Sequence, residues 1–155
     1  MRLPYLIQIA LKDCYKPILF SLAKRNDSFL SMLSFRPTGS QIIVTDNCNS
    51  RCITCSQWKN KSTNELTTEE IYDTLAQLRD LGVIQVYFSG GEPLLRHDLS
   101  RLVERAAELR FQSIGILTNG LLLTENRARE LLESGLTALG ISIDGLRETH
   151  DYVRG

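Results

Sequence analysis

The chain has 155 residues, of which 43% are hydrophobic and 23% are charged, and its 18 basic and 18 acidic residues give zero formal net charge. This composition is typical of an intracellular globular protein, and the charge balance gives no reason to expect nucleic acid or an anionic membrane as a partner. No run approaches the ~20 apolar residues of a transmembrane helix, and no secretory signal is recognisable. We therefore expect a cytoplasmic protein without a transmembrane segment.

Residues 1–38 are predicted to form an N-terminal helical extension. Their apolar residues recur at helical spacing, with breaks near Pro17 and around Asn26 and Asp27. The extension could be a packing element, a membrane-surface helix or an arm that docks a partner. Its mixed charges favour packing, since a surface-binding helix usually carries a face rich in Lys and Arg.

From residue 39 to residue 155, strand-like and helix-like segments alternate, which predicts an α/β fold with about four βα units. The helices are predicted to begin at three caps, Thr67 (with Glu70 in a capping box), Asp98 and Thr124. Strands separated by helices must be parallel, so we expect a partial parallel (βα) barrel. The predicted strands cover residues 41–45, 83–88, 113–117 and 138–143.

Three cysteines, Cys48, Cys52 and Cys55, follow the first predicted strand in a C-x3-C-x2-C pattern. Three thiolates on one short loop can hold a metal or an iron-sulfur cluster. A structural zinc site usually has four Cys or His ligands, commonly in two separated pairs, and the sequence has no second pair. Cys14 lies far upstream and is interpreted as a small buried hydrophobe.

Three further motifs follow the other strands. Gly90-Gly91-Glu92-Pro93 comes after the second strand, Thr118-Asn119-Gly120 after the third, and Ser142-Ile143-Asp144-Gly145 ends the fourth. In βα barrels the catalytic groups lie on loops at the carboxyl ends of the strands. All four motifs are therefore expected to face one common opening.

With these motifs in this order, residues 41–155 resemble the core of the radical S-adenosylmethionine (radical SAM) enzymes. The family's signature is C-x3-C-x2-C after the first strand of a βα barrel. Its G-G-E-P motif, which contacts the methionine amino group of the bound cofactor, is similar to residues 90–93. The resemblance covers the N-terminal part of the family's core domain.

The resemblance implies that the three cysteines bind a 4Fe-4S cluster whose fourth iron chelates S-adenosylmethionine. An electron from the reduced cluster would cleave the cofactor to methionine and a 5'-deoxyadenosyl radical, which abstracts hydrogen from a substrate. It also implies an external electron donor similar to flavodoxin or ferredoxin, and a peptide or a cofactor precursor as substrate. The sequence does not identify that substrate.

The resemblance further implies a set of cofactor-binding residues. Gly90 and Gly91 would let the backbone approach a ligand closely, Glu92 would accept from the ammonium group, and Pro93 would stiffen the turn. Cofactor contacts are also expected from Asn119, although Asn-Gly is ordinary turn chemistry. The last two candidates, Ser142 and Asp144, are expected near the ribose or the substrate.

Cores of this family have about six βα units, and the sequence ends soon after the fourth predicted strand, in what is predicted to be a loop. We expect it to be the front part of a longer protein, or else a chain whose sheet a partner completes. Two alternatives to an active enzyme stay open at this point: a cluster-binding fragment without turnover, and a zinc-binding interaction module.

Overall fold

The computed structural model describes residues 37–59 and 64–155. The predicted helical extension and Cys14 lie outside the described residues, apart from the last two positions of the extension. Among the described helices, none is both long and apolar enough to cross a membrane.

Four parallel strands form one sheet in the order in which they occur in the sequence. They are β1 (Gly39–Thr45), β2 (Gln85–Gly90), β3 (Ser113–Thr118) and β4 (Ala138–Ile141). The helices are α1 (Thr68–Asp80), α2 (Leu99–Glu108), α3 (Glu125–Glu133) and α4 (Arg147–Arg154), with 3-10 turns at Gln57–Lys59 and Pro93–Leu95. The predicted α/β fold with four parallel strands is confirmed.

The core lies between one face of the sheet and the helices. Alternation along β2 shows why, because Val86 and Phe88 are fully buried whereas Tyr87 between them is half-buried. Helix residues at three- and four-residue spacing fill the other side of the core. The buried cluster contains Ile42, Val44, Val86, Phe88, Ile114 and Ile116 from the strands and Ile71, Leu75, Leu99, Leu102, Val103, Ala106 and Leu131 from the helices.

Two of the three predicted helix caps form. The Thr67 side chain accepts from the Glu70 N–H, and the Glu70 carboxylate accepts from the Thr67 N–H, which completes the predicted capping box. Thr124 accepts from the Arg127 N–H at the start of α3. Asp98 occupies the N-cap position of α2, but its side chain does not cap the helix. That prediction is wrong because the Asp98 carboxylate instead binds the Arg96 guanidinium at 2.7 Å.

The structure also corrects the prediction for the residues after β4. Residues after β4 were expected to form a loop, but Arg147–Arg154 form α4. Arg147 and Asp151 lie one turn apart on this helix, with Arg147 Nε 3.6 Å from Asp151 Oδ2. Oppositely charged side chains four residues apart stabilise a helix. The strand itself is shorter than predicted and ends at Ile141. Among the described residues β4 pairs with β3 only, and the β4 residues Leu139 and Ile141 are 42% and 47% exposed.

Candidate functional site

The four predicted motifs lie on the loops that follow the four strands. Because the strands are parallel, these loops lie at the same edge of the sheet. The cysteine loop, which we define as residues 46–56, follows β1. Hydrogen bonds from the loops after β2 and β3 reach this loop directly, and the chain after β4 reaches it through α4.

Gly90 and Gly91 allow the loop after β2 to pack against the entry to the cysteine loop. The Gly91 N–H donates to the Thr45 carbonyl and the Glu92 N–H donates to the Asn47 carbonyl, both at 2.8 Å. A Cβ atom at either glycine would lie 2.2 Å from one of these carbonyl oxygens. Gly90 also has a φ of +143°, which few other residues adopt. The close approach predicted for a ligand is thus made by the chain itself, and the ligand contact stays a prediction.

Glu92 is fully buried between the loops after β2 and β3. Its Oε1 accepts from the Leu94 N–H at 3.0 Å and from the Thr118 hydroxyl at 2.7 Å. Its Oε2 accepts from the Asn119 N–H at 2.8 Å. Three hydrogen bonds satisfy much of the desolvated carboxylate and lock the two loops together. These contacts within the chain do not test the predicted contact between Glu92 and the ammonium group of the cofactor, which stays a prediction.

Asn119 connects the loop after β3 to the cysteine loop. Its side-chain amide donates to Asn49 Oδ1 at 2.7 Å and to Ser50 Oγ at 3.1 Å. Asn49 and Ser50 lie between the first two cysteines of the triplet. Glu92 and Asn119 together therefore link three strand-end loops through a continuous set of hydrogen bonds.

Glu65 is a further residue at the entry to the cysteine loop that motif analysis missed. Its Oε1 accepts from Thr45 Oγ1 at 2.6 Å, the Asp46 N–H at 2.9 Å and Asn47 Nδ2 at 3.0 Å. Burial alone would raise the pKa of Glu65, but hydrogen bonds from Thr45 and Asp46 outweigh it, and the pKa lies below its ordinary value. Nothing in the local sequence distinguishes this glutamate from a surface residue.

The three cysteines are free and differ in exposure, since Cys52 is buried, Cys48 half-buried and Cys55 exposed. The Ser50 N–H donates to Cys48 Sγ at 3.5 Å and the Gln57 N–H donates to Cys55 Sγ at 3.4 Å. Hydrogen bonds of this kind stabilise thiolate ligands and tune iron-sulfur clusters. The donor set therefore fits a cluster held by three cysteines.

No three His, Cys, Asp or Glu side chains of the described residues are grouped closely enough to hold one metal ion. In a cluster, by contrast, each cysteine of the triplet would bind a different iron. A site for one ion and a site for a cluster therefore require different spacings of the three sulfur atoms.

The two candidates after β4 contact different elements, since Ser142 bonds to the end of β3 and Asp144 bonds to α4. The Ser142 N–H donates to the Thr118 carbonyl at 2.9 Å, which extends the β3–β4 contact by one residue. Asp144 is exposed, and its carboxylate accepts from the Arg154 guanidinium on α4. Arg154 in turn lies 3.9 Å from Cys52 Sγ. The sequence did not point to Arg154, because the helix that carries it was predicted to be a loop.

Comparison with known proteins supports the resemblance. The family model described as the radical SAM superfamily matches residues 42–155. The chain is 39% identical over 129 residues to Fe-coproporphyrin III synthase from Methanosarcina barkeri, a match covering 80% of this chain and 32% of that protein. It is 38% identical over 114 residues to PqqA peptide cyclase from Bradyrhizobium diazoefficiens, covering 72% of this chain and 30% of that protein. The chain thus spans about a third of the length of these relatives.

The fold also matches a solved structure. SuiB from Streptococcus suis, crystallised with S-adenosylmethionine, superimposes with a TM-score of 0.70 at 22% identity, covering 86% of this chain and 32% of that protein. At this identity the match concerns the fold. The family model, in contrast, covers most of the chain and includes all four strand-end motifs. The chain belongs to the radical SAM superfamily.

Proposed function

We propose that this chain is the N-terminal part of the core of a radical SAM enzyme, with the core beginning near residue 39. In this proposal Cys48, Cys52 and Cys55 hold a 4Fe-4S cluster. The loops after β2, β3 and β4 hold S-adenosylmethionine through Gly90, Gly91, Glu92, Pro93, Asn119, Ser142 and Asp144. The observation that carries the proposal is the free cysteine triplet, whose loop is hydrogen-bonded to the Gly-Gly-Glu-Pro and Thr-Asn-Gly loops.

The residues of the chain have distinct tasks in this proposal. When bound, the cluster supplies the electron that cleaves S-adenosylmethionine to methionine and a 5'-deoxyadenosyl radical. Glu92 and Asn119 fix the cysteine loop relative to the loops that would hold the cofactor. Orienting the cofactor and excluding water are the contributions a protein makes to such chemistry. An external donor of the flavodoxin or ferredoxin kind would deliver the electron.

The names of two relatives support a broad substrate class. The names of the two relatives refer to a peptide, PqqA, and to a porphyrin, Fe-coproporphyrin III. We therefore propose a peptide or a cofactor precursor as substrate, in a cytoplasmic setting. The pocket that selects between them would draw on parts of the family core outside the matched region, since the match covers about a third of those relatives.

The decisive test is anaerobic reconstitution with iron and sulfide, followed by dithionite and S-adenosylmethionine and chromatography for 5'-deoxyadenosine. Broad visible absorption, with iron and sulfide in equal amounts, and formation of 5'-deoxyadenosine are the expected results. A colourless protein that takes up zinc instead of iron would refute the proposal and favour the interaction-module alternative.

The chain spans about a third of the length of these relatives. This favours a second candidate, a cluster-binding fragment without turnover. In that case a cluster forms but no 5'-deoxyadenosine appears. Supplying further core strands, from a longer form of the chain or from a partner that completes the sheet, should then restore cofactor cleavage.

A further inference from the structure

The carboxyl end of α4 packs against the middle of the cysteine loop. The Ile53 N–H donates to the Val153 carbonyl at 2.9 Å. On the other side of Cys52, the Arg51 carbonyl oxygen lies 3.2 Å from the position that a Cβ at Gly155 would occupy. The residues on either side of Cys52 are thus in contact with one helix end, which follows β4 and is about 100 residues away in sequence.

The Arg154 side chain connects this helix to the sulfur itself. Its Nη1 lies 3.9 Å from Cys52 Sγ, within the range of a hydrogen bond to sulfur, and its Nε donates to the Asp144 carboxylate. The Asp144 N–H donates to His150 Nδ1 at 3.4 Å, which holds the loop after β4 against the same helix. Cys52 is only 8% exposed, so this guanidinium is a charge beside a largely desolvated sulfur.

The charge of Arg154 is secure. A guanidinium stays protonated in proteins, and the hydrogen bond that Arg154 donates to the Asp144 carboxylate raises the pKa of Arg154 further. The carboxylate also fixes the direction of the guanidinium, because Nε is used for Asp144 while Nη1 is turned towards the sulfur.

A fixed positive charge beside a cluster ligand has a predictable effect. Reduction adds an electron to the cluster, so a neighbouring cation stabilises the reduced state more than the oxidised state. Net charge and hydrogen bonds to the sulfurs are among the factors that set the potential of iron-sulfur clusters. Low exposure at Cys52 strengthens the interaction, since solvent screens it less.

We propose that Arg154 is a positioning residue for Cys52, oriented by Asp144, and that its charge raises the reduction potential of the cluster. The inference rests on the proposed function, because it requires a cluster at the cysteine triplet. It gives α4 a specific role, in which the helix after β4 braces the cysteine loop that follows β1.

The test compares the reconstituted wild-type protein with R154Q, R154K and a control, R147Q, in a redox titration followed by electron paramagnetic resonance. Arg147 lies on the same helix but its side chain is 93% exposed. R154Q should lower the midpoint potential by about 59 mV, a tenfold fall in the equilibrium constant for one-electron reduction. R154K keeps the charge and should lie nearer to wild type, and R147Q should not differ from it.

A second readout needs no cluster. Amide hydrogen exchange at Ile53 in the cluster-free protein should be at least tenfold faster in R154Q than in R147Q, because the helix end that accepts this N–H is released. Wild-type protein that holds no iron-sulfur cluster would overturn the proposed function together with the effect on potential. A normal cluster with the same midpoint in R154Q and wild type would overturn this inference alone.

Discussion

Arg96 is predicted to stabilise the described domain through four side-chain hydrogen bonds to three separate segments. Its guanidinium donates from Nε and Nη2 to the two oxygens of Asp98, at 2.8 and 2.7 Å. Its Nη1 donates to the carbonyls of Val44 and Leu66, both at 2.8 Å. One side chain thus joins the end of β1, the residue before the cap of α1, and the start of α2.

The substitution Arg96→Met keeps most of the apolar stem and removes every one of these hydrogen bonds. The side chains of Arg96 and Asp98 are 12% and 19% exposed, so the carboxylate would lose its partner in a mostly desolvated position. Removing one partner of a fully buried pair costs about 3–5 kcal/mol. The partial exposure here places the expected loss at about 2–3 kcal/mol, equivalent to a fall in melting temperature of about 5–10 °C.

The assay is urea denaturation followed by circular dichroism, with Arg129→Met as the matched control. Arg129 pairs with Glu125 at 2.9 Å, but these side chains are 64% and 85% exposed. Exposed helical pairs contribute about 0.3–0.5 kcal/mol, so the control should lose no more than that. If Arg96→Met and Arg129→Met lower the free energy of unfolding equally, the reasoning about Arg96 is wrong.

The same ion pair predicts a pH dependence. Hydrogen bonds from Arg96 lower the pKa of Asp98 from its usual 3.8 to about 2. Because folding lowers this pKa, the ionised carboxylate stabilises the fold above pH 3.8, and the contribution is lost as the pH falls towards about 2. The stability difference between wild type and Asp98→Asn should therefore shrink between pH 5 and pH 2. A difference that stays constant over this range would contradict the assignment.

The remaining predictions concern the site. Alanine at any one cysteine of the triplet should abolish cluster retention, measured as bound iron, whereas Cys14→Ala should leave it intact; loss of iron in the Cys14 variant alone would overturn the ligand assignment. Asn119→Ala and Asn49→Ala should show a coupling of about 0.5–1 kcal/mol in a double-mutant cycle of unfolding, since their amides are joined at 2.7 Å; additive effects would contradict this. Gly91→Ala should cost about 1–3 kcal/mol of stability, because its Cβ would lie 2.2 Å from the Asn47 carbonyl oxygen; unchanged stability would show that the two loops can separate freely.

Most of the described fold could be predicted from local signals. The capping box at Thr67 and the cap at Thr124 marked helix starts that the structure contains. Strand-like segments between the helices marked the strands, and in β2 the structure buries every second residue because one face of the sheet packs against helices. Asp98 shows the limit of such signals. It is a good capping residue, but its carboxylate accepts from the Arg96 guanidinium and does not cap α2.

The residues of the candidate site could be located from the sequence, but their partners could not. A motif identifies residue types at fixed spacing along the chain. It contains no information about contacts between residues far apart in the sequence, such as that between Asn119 and Asn49, which are 70 positions apart. For the same reason the sequence could not show that Gly91 accommodates the Asn47 carbonyl.

The sequence by itself therefore determined the four parallel βα units and the loops on which the candidate residues lie, because these depend on local spacing and periodicity. Its four motifs, in their order, also carried the resemblance to the radical SAM family. Only the tertiary structure decided that the Glu92 carboxylate is buried between two loops, that Glu65 supports the entry to the cysteine loop, and that Arg154 lies beside Cys52. Those contacts arise when the parallel sheet brings distant strand ends to one edge. Their geometry is a property of the packed sheet and not of any one segment.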